Sequence, residues 1–476
     1  MTPMIKHVPA LLAAGLLSAC SLAPTYERPA APVAAQYPSS AISPAAPVEP
    51  VAAASAAAAD TGWRDHFSDP QLQQLIAAAL EHNRDLRSAA LRIEEARALY
   101  RIQSAERLPT LNGSLAASRA QTPATLAPGG ASVISERYDA GVAVAAFELD
   151  FFGRVKSLND AALASYLATD EARRAAQISL VAQVAQAYYA ERAFAQQAAQ
   201  AQQTFEARAR TYELTQQRAQ VGASSLLDLR LNETLMHSAR AAALTLARQR
   251  AQASNALTLL VGQPPVAPPA GAMPDDAQLD ALSALPTGLP SELIARRPDI
   301  RAAELRLQAA NANIGAARAA FFPRVSLSAA LGSSNPTVGG LFDSGSGSWS
   351  FSPQLVLPIF DGGRNRANLD VSEVRKNLAV ADYEKTIQIA FREVADALAA
   401  RDYLGAQVEA QRAVQMAQAD RLRLLQLRFD NGVANTLDVL DAQRELFAAE
   451  QALVQARLLR TTSAIDLYRA LGGGLK

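Results

Sequence analysis

The residues able to act as nucleophile, base or metal ligand are few and scattered. The chain has one cysteine, Cys20, and of its four histidines only His66, His82 and His237 lie beyond the first twenty residues. None sits in an HExxH or similar ligand pattern. The glycine pairs Gly129-Gly130 and Gly339-Gly340 and the run Gly472 to Gly474 lack the Lys-Ser/Thr that completes a phosphate-binding loop. Adjacent acids such as Glu94-Glu95 have charged neighbours on a helical pattern, which is the mark of a solvated face. No nucleophile, base or metal set converges, so neither an enzyme nor a cofactor or metal carrier is expected.

Cys20 has a different use. Lys6 and His7 precede a twelve-residue apolar run, Val8 to Ala19, which is too short to span a bilayer and fits a secretory signal. The run ends Leu17-Ser18-Ala19-Cys20, which resembles the bacterial lipobox, where cleavage precedes the cysteine and its thiol takes diacylglycerol. The expected layout is a signal peptide over 1–19 and a lipidated Pro/Ala-rich tether over 20–60. Its Ser21 to Asp60 stretch holds seven prolines and cannot bury a core. Serine rather than aspartate at position 21 favours the outer membrane of a Gram-negative bacterium, with its lipid as the anchor's partner.

Lys plus Arg and Asp plus Glu balance at 45 each, which removes the field that would gather nucleic acid. Half the residues are hydrophobic but only 6% aromatic. The excess is alanine, a strong helix former that lets helices pack closely. No later apolar run reaches the ~18 residues of a membrane-spanning helix, so any membrane crossing must use strands.

The chain repeats itself. Asp85-Leu86-Arg87 and Pro109 recur 214 residues later as Asp299-Ile300-Arg301 and Pro323. Gly153-Arg154, Gly222, Leu227-Asp228 and Gly262 recur at an offset of 210 as Gly363-Arg364, Gly432, Leu437-Asp438 and Gly472. The repeats are placed at 61–270 and 291–476, joined by a linker over 271–290. The change of offset puts a four-residue length difference between Pro109 and Gly153, read as a longer hairpin loop in the first repeat. Each repeat reads as helix, hairpin, long helix, tip, helix.

The hairpins, about 108–149 and 322–360, decide the membrane question. Val325, Leu327, Ala329 and Leu331 alternate with Ser326, Ser328 and Ala330, and Trp349 and Phe351 alternate with Ser350 and Ser352. In the first hairpin Tyr138, Val142 and Val144 share one side. Four strands of about 9 to 11 residues are long enough to cross a bilayer, and Trp349 and Phe351 suit a headgroup girdle. Four strands cannot close a barrel, so the subunit must oligomerise. Two copies give a barrel filled by side chains, and three give twelve strands with a lumen. A homotrimer is predicted.

Between Arg154 and Val221, and again between Arg364 and Asn431, there is no proline. Stripes such as Ile178, Val181, Ala185, Tyr188 and Ile387, Phe391, Val394, Leu398 step by three and four. Continuous helices there would each reach roughly 100 Å. Gly222 and Gly432 fall where one helical pattern ends and the next begins, as at the turn of a helical hairpin.

Several segments resemble the TolC-like outer membrane factors, specifically the OprM/NodT branch of efflux lipoproteins. They are Cys20-Ser21-Leu22 with Pro24, Tyr26 and Arg28-Pro29; Trp63-Arg64-Asp65 with Phe67 and Asp69-Pro70; Phe147 to Leu158; Arg296 to Ile300; Ala309 to Pro323; and Leu357 to Arg364. The resemblance implies a mainly α fold with transmembrane β structure: a trimeric twelve-stranded β-barrel continued by a twelve-helix periplasmic α-barrel. It implies an outer-membrane channel of a tripartite resistance-nodulation-division pump, with a periplasmic adaptor protein and an inner-membrane pump as partners. The tip segments Arg218 to Asp228 and Arg428 to Asp441, with Gly222 and Gly432 at their turns, would face the adaptor. Leu437 and Asp441 match the family's gate positions and share a helix face at i and i+4, with Asp438 and Arg444 as supporting groups. Asp430 is acidic where relatives often carry a basic residue. Other readings are a channel serving type I protein secretion or heavy-metal efflux, and a lipid-anchored periplasmic coiled-coil protein. The last does not account for two alternating hairpins at equal points of a repeat.

Overall fold

The computed structural model describes residues 21–38, 61–264, 273–285 and 290–475. The expected signal over 1–19, the expected lipidation site Cys20, and much of the tether and linker lie outside the described residues. The elements are α1 (Trp63–His66), α2 (Pro70–His82), α3 (Arg84–Ala105), β1 (Leu111–Thr122), β2 (Val133–Leu149), α4 (Arg154–Gln220) and α5 (Leu226–Val261). They continue with α6 (Asp276–Ser283), α7 (Pro290–Arg296), α8 (Pro298–Ala319), β3 (Arg324–Asn335), β4 (Gly347–Val356), α9 (Arg364–Asp430) and α10 (Thr436–Ala470). The repeat is structural: α3 and α8 have 22 residues each, and α4 and α9 run unbroken for 67 each.

The four strands form one antiparallel sheet in the order β1-β2-β3-β4, so the two hairpins join through β2 and β3. One expectation fails here. The hairpin loops, 123–132 and 336–346, are nearly equal, and the extra length of the first repeat lies instead in β2, with 17 residues against 10 in β4. Part of it is a bulge: between Val144 and Phe147 β2 takes three steps while β3 takes two, from Ala329 to Leu327. Ala146 sits there at φ 48° and donates its N–H to Ser328 Oγ at 3.1 Å. Landmarks flanking a hairpin measure its total length and cannot divide that length between loop and strand. A bulge bends and twists its strand locally.

The chain divides into two compact units. The first takes the described part of Met1–Ala30 with Arg92–Thr169 and Ala302–Tyr383, and so contains the sheet. Its helical packing is thin, with Ala161 and Ala164 against Ala309 and Ala312. Phe152 stacks on Phe322 at 4.8 Å where strands and helices meet.

The second unit, Ala31–Leu91, Asp170–Arg301 and Glu384–Lys476, holds the main core. Leu72, Ile76, Tyr188, Leu257, Ile465 and Tyr468 are fully buried in it. Of the predicted stripe, Val181, Ala185 and Tyr188 face this core, because steps of three and four return each to the same side, and Ile178 is buried at its edge near Gly474. Asp69 caps α2 by accepting the Gln71 N–H at 2.9 Å, and Tyr188 and Arg192 donate to its other oxygen at 2.7 and 2.6 Å.

His66 stacks on Tyr468 with ring centroids 4.0 Å apart, and its Nε2 has no hydrogen-bond partner among the described residues. Burial pushes its pKa down to about 4. The unfolded chain, titrating near 6.5, then binds the proton first, so stability falls as pH drops through the window from about 6.5 to about 4, by up to about 3 kcal/mol. Thermal unfolding followed between pH 7 and 4 should show this loss, and His66→Phe should flatten it.

Candidate functional site

Register makes the sheet two-faced. Leu331 pairs with Val142 on one side and Trp349 on the other, Ala329 with Val144 and Phe351, and Val325 with Leu149 and Leu355. Leu111 and Leu115 of β1 continue the row through Val144 and Ala140. These side chains form one apolar face across four strands, and it is uncovered: Leu115 is 79% exposed, Leu331 68% and Trp349 78%. Trp349 lies two residues nearer the loop 336–346 than Phe351, and the same face turns polar further out, where Arg119 pairs with Glu136 at 3.1 Å.

The opposite face carries Ser326, Ser328, Ser350 and Ser352. Its charges are paired at the two ends. Arg137 meets Asp139 at 2.8 Å, and Glu148 lies between Arg154 at 2.7 Å and Arg324 at 2.8 Å. Among the described residues β1 and β4 each pair on one side only, leaving two free edges.

The tips are built alike. Gly222 and Gly432 have φ of 73° and 71°, the left-handed conformation that ends a helix without a Cβ penalty. The Ala223 N–H donates to the Arg218 carbonyl, and the Val433 N–H to the Arg428 carbonyl, each at 2.8 Å. The next helix starts on a side-chain cap, Ser225 accepting the Asp228 N–H at 3.1 Å and Asn435 the Asp438 N–H at 2.9 Å. Arg218, Asp228, Arg428 and Asp438 are exposed, and so are the apolar Val221, Leu226, Leu227 and Val433.

The second tip also carries a charge cluster. Asp441 accepts from Arg444 at 2.6 Å and from Arg421, on the preceding helix, at 3.1 Å. Leu437, one turn earlier on the same face of α10, is 61% exposed. Asp438 lies outside this cluster, its backbone being used by the helix cap. No motif in the sequence singles out Arg421. The available signal was opposite charge at similar distances on either side of the turn at Gly432. The first tip has no equivalent, since Thr211, Leu231 and Thr234 stand at the corresponding positions.

Among the described residues no helix is long and apolar enough to cross a membrane, and no group of three or more His, Cys, Asp or Glu side chains could hold a metal ion.

Comparison with known proteins gives a consistent picture. A family model described as outer membrane efflux protein matches residues 75–263 and 289–473. Outer membrane protein OprJ of Pseudomonas aeruginosa is 49% identical over 98% of this chain and 95% of its own length. A toluene efflux pump outer membrane protein of Pseudomonas putida, TtgC, is 47% identical over 96% and 93%. The open state of the Neisseria gonorrhoeae MtrE outer membrane channel superposes with a TM-score of 0.83 at 41% identity, covering 96% of this chain and 99% of the other.

Proposed function

The chain belongs to the outer membrane efflux protein family, and from that premise we infer that it is the outer-membrane channel subunit of an efflux pump, passing drugs or other solutes outward without doing chemistry. The observation that carries this reading is the exposed apolar face of an open four-stranded sheet. Strands of 12, 17, 12 and 10 residues are long enough to cross hydrocarbon. Two free edges in lipid would leave a row of backbone groups unsatisfied, and three copies joined edge to edge remove them while leaving a lumen lined by the serine face. Helix surfaces agree: Val371, Val374 and Leu378 of α9 step by three and four and are all exposed in the single chain. Trp349 would then sit toward the outer headgroups, with Phe351 one pleat deeper.

The tips at Gly222 and Gly432, with their exposed apolar residues, would dock a periplasmic adaptor that links the channel to an inner-membrane pump. Leu437 and Asp441, repeated three times, would form the constriction. Arg421 and Arg444 tie Asp441 to two points of one hairpin, so opening must stretch or break these pairs. Exposed pairs are worth roughly 0.5 kcal/mol each, so Asp441→Ala should shift the gate by about 1 kcal/mol per subunit, about fivefold in each subunit's opening equilibrium, and raise basal conductance at least that much. Unchanged conductance in normally assembled trimers would remove Asp441 from the gate. Antibiotic and toluene pumps among the relatives make small apolar or amphiphilic compounds the substrates to test.

The deciding experiment is the native mass of protein extracted from outer membranes in mild detergent, followed by conductance in planar bilayers. A conducting trimer is expected. A soluble monomer without conductance would end the channel reading.

A further inference from the structure

The composition of the tether predicts a segment with nothing to hold it, yet its first ten described residues follow a built track along α8. Arg318 Nη1 donates to the Leu22 carbonyl at 3.5 Å, and Asn311 Nδ2 donates to the Pro24 carbonyl at 2.7 Å. Tyr26 Oη donates to Glu304 at 3.1 Å, and Arg28 grips both oxygens of the same carboxylate at 2.7 and 3.0 Å. Gly315 lies beneath Ala23, where an added Cβ would come within 2.8 Å of both the Ala23 nitrogen and its Cβ. Any side chain at 315 would displace the segment.

The spacing on the two sides matches. Leu22 and Pro24 are held through their carbonyls, and Tyr26 and Arg28, two residues apart, through their side chains. Glu304, Asn311, Gly315 and Arg318 step by seven, four and three along one face of α8. Six residues reach at most about 20 Å when extended, and the fourteen helical residues cover about 21 Å, so the long side chains of Tyr26 and Arg28 complete the reach to Glu304. The Glu304 side chain is only 9% exposed, so without Tyr26 and Arg28 its charge would be buried without these partners. At the far end of the track Ser21 lines a pocket with Phe147, Leu149, Gly153 and Lys156, where β2 passes into α4. Cys20 immediately precedes Ser21 in the chain.

We propose that this face of α8 is a binding site for the chain's own residues 22–28, a latch that fixes the point at which the acyl anchor leaves the fold, at the strand–helix junction. The assignment rests on acylation of Cys20. Glu304 and Arg28 are positioning residues, acting on the lipid only through the peptide between them. A latched anchor enters the bilayer beside the sheet, whereas a free tether could place it anywhere within its reach.

The test uses full-length protein purified from outer membranes and brief exposure to chymotrypsin, with mass spectrometry of the peptide released by cleavage after Tyr26. Cleavage requires the segment to leave α8, so its initial rate follows the unlatched population. Arg28→Ala, an exposed change, should raise that rate about tenfold or more with the thermal midpoint unchanged. Glu304→Gln should do the same, and the double variant should be no faster than either single one, because both remove the same contact. Should Glu304→Gln fail to fold, Arg28→Ala decides alone. Equal rates for wild type and Arg28→Ala would overturn the latch. A peptide released without diacylglycerol would overturn the anchor on which the assignment rests, whatever its rate.

Discussion

Arginine at Leu331 is expected to block insertion into the outer membrane, while arginine at the adjacent Ala330 is expected to be tolerated. Leu331 stands in mid-sheet between Val142 and Trp349, on the uncovered apolar face. A cation facing lipid costs about 2–4 kcal/mol at the bilayer centre and less toward the headgroup level of its partner Trp349, and a trimer meets its cost three times. Ala330 pairs with Ala143 and Ser350 on the opposite face, where an arginine would project into water and change only ion selectivity. Heat-resistant trimers in outer-membrane fractions should be lost for Leu331→Arg and retained for Ala330→Arg. The same outcome for both variants would contradict a sheet with one lipid face and one lumen face. Neighbouring positions with opposite fates also exclude a general intolerance of charge in this strand.

The largest loss of stability is expected from Arg297→Ala. Arg297 is 8% exposed, and its guanidinium reaches Asp299 at 2.6 Å, Glu393 at 2.9 Å and the Ala470 carbonyl at 3.1 Å. Burial disfavours its charge, but the Asp299 and Glu393 carboxylates outweigh that and hold its pKa above the ordinary guanidinium value. Glu393 also accepts from Arg469 at 3.3 Å, so the network ties the start of α8 and the middle of α9 to the end of α10. Removing one partner of a buried ion pair costs about 3–5 kcal/mol, and the lower end is expected here because the Asp299 and Glu393 side chains are 35% and 20% exposed. Arg297→Lys should recover part of the loss, since an ammonium keeps the charge but cannot make the fork to Asp299. Thermal midpoints of the three proteins, measured in one detergent, give the ranking. A midpoint for Arg297→Ala equal to wild type would mean that the network contributes nothing net.

Much of this molecule was legible without coordinates because its informative features are local or repeated. Proline-free, alanine-rich stretches with apolar residues every three or four positions specify α4 and α9, and each begins at the predicted arginine, Arg154 or Arg364. Alternation specifies the strands, and glycine at the end of each long helical pattern specifies the tips, because only glycine takes a positive φ there at little cost. Those signals depend on neighbours along the chain. What the fold decided concerns residues far apart in it. The pairing of β2 with β3, the extra residue accommodated at Ala146, the reach of Arg421 to Asp441, and the capture of Tyr26 and Arg28 by Glu304 leave no periodic trace. Periodicity reports which face of an element avoids water. Which element covers that face, and which buried charge answers another across it, is settled only when distant segments pack together.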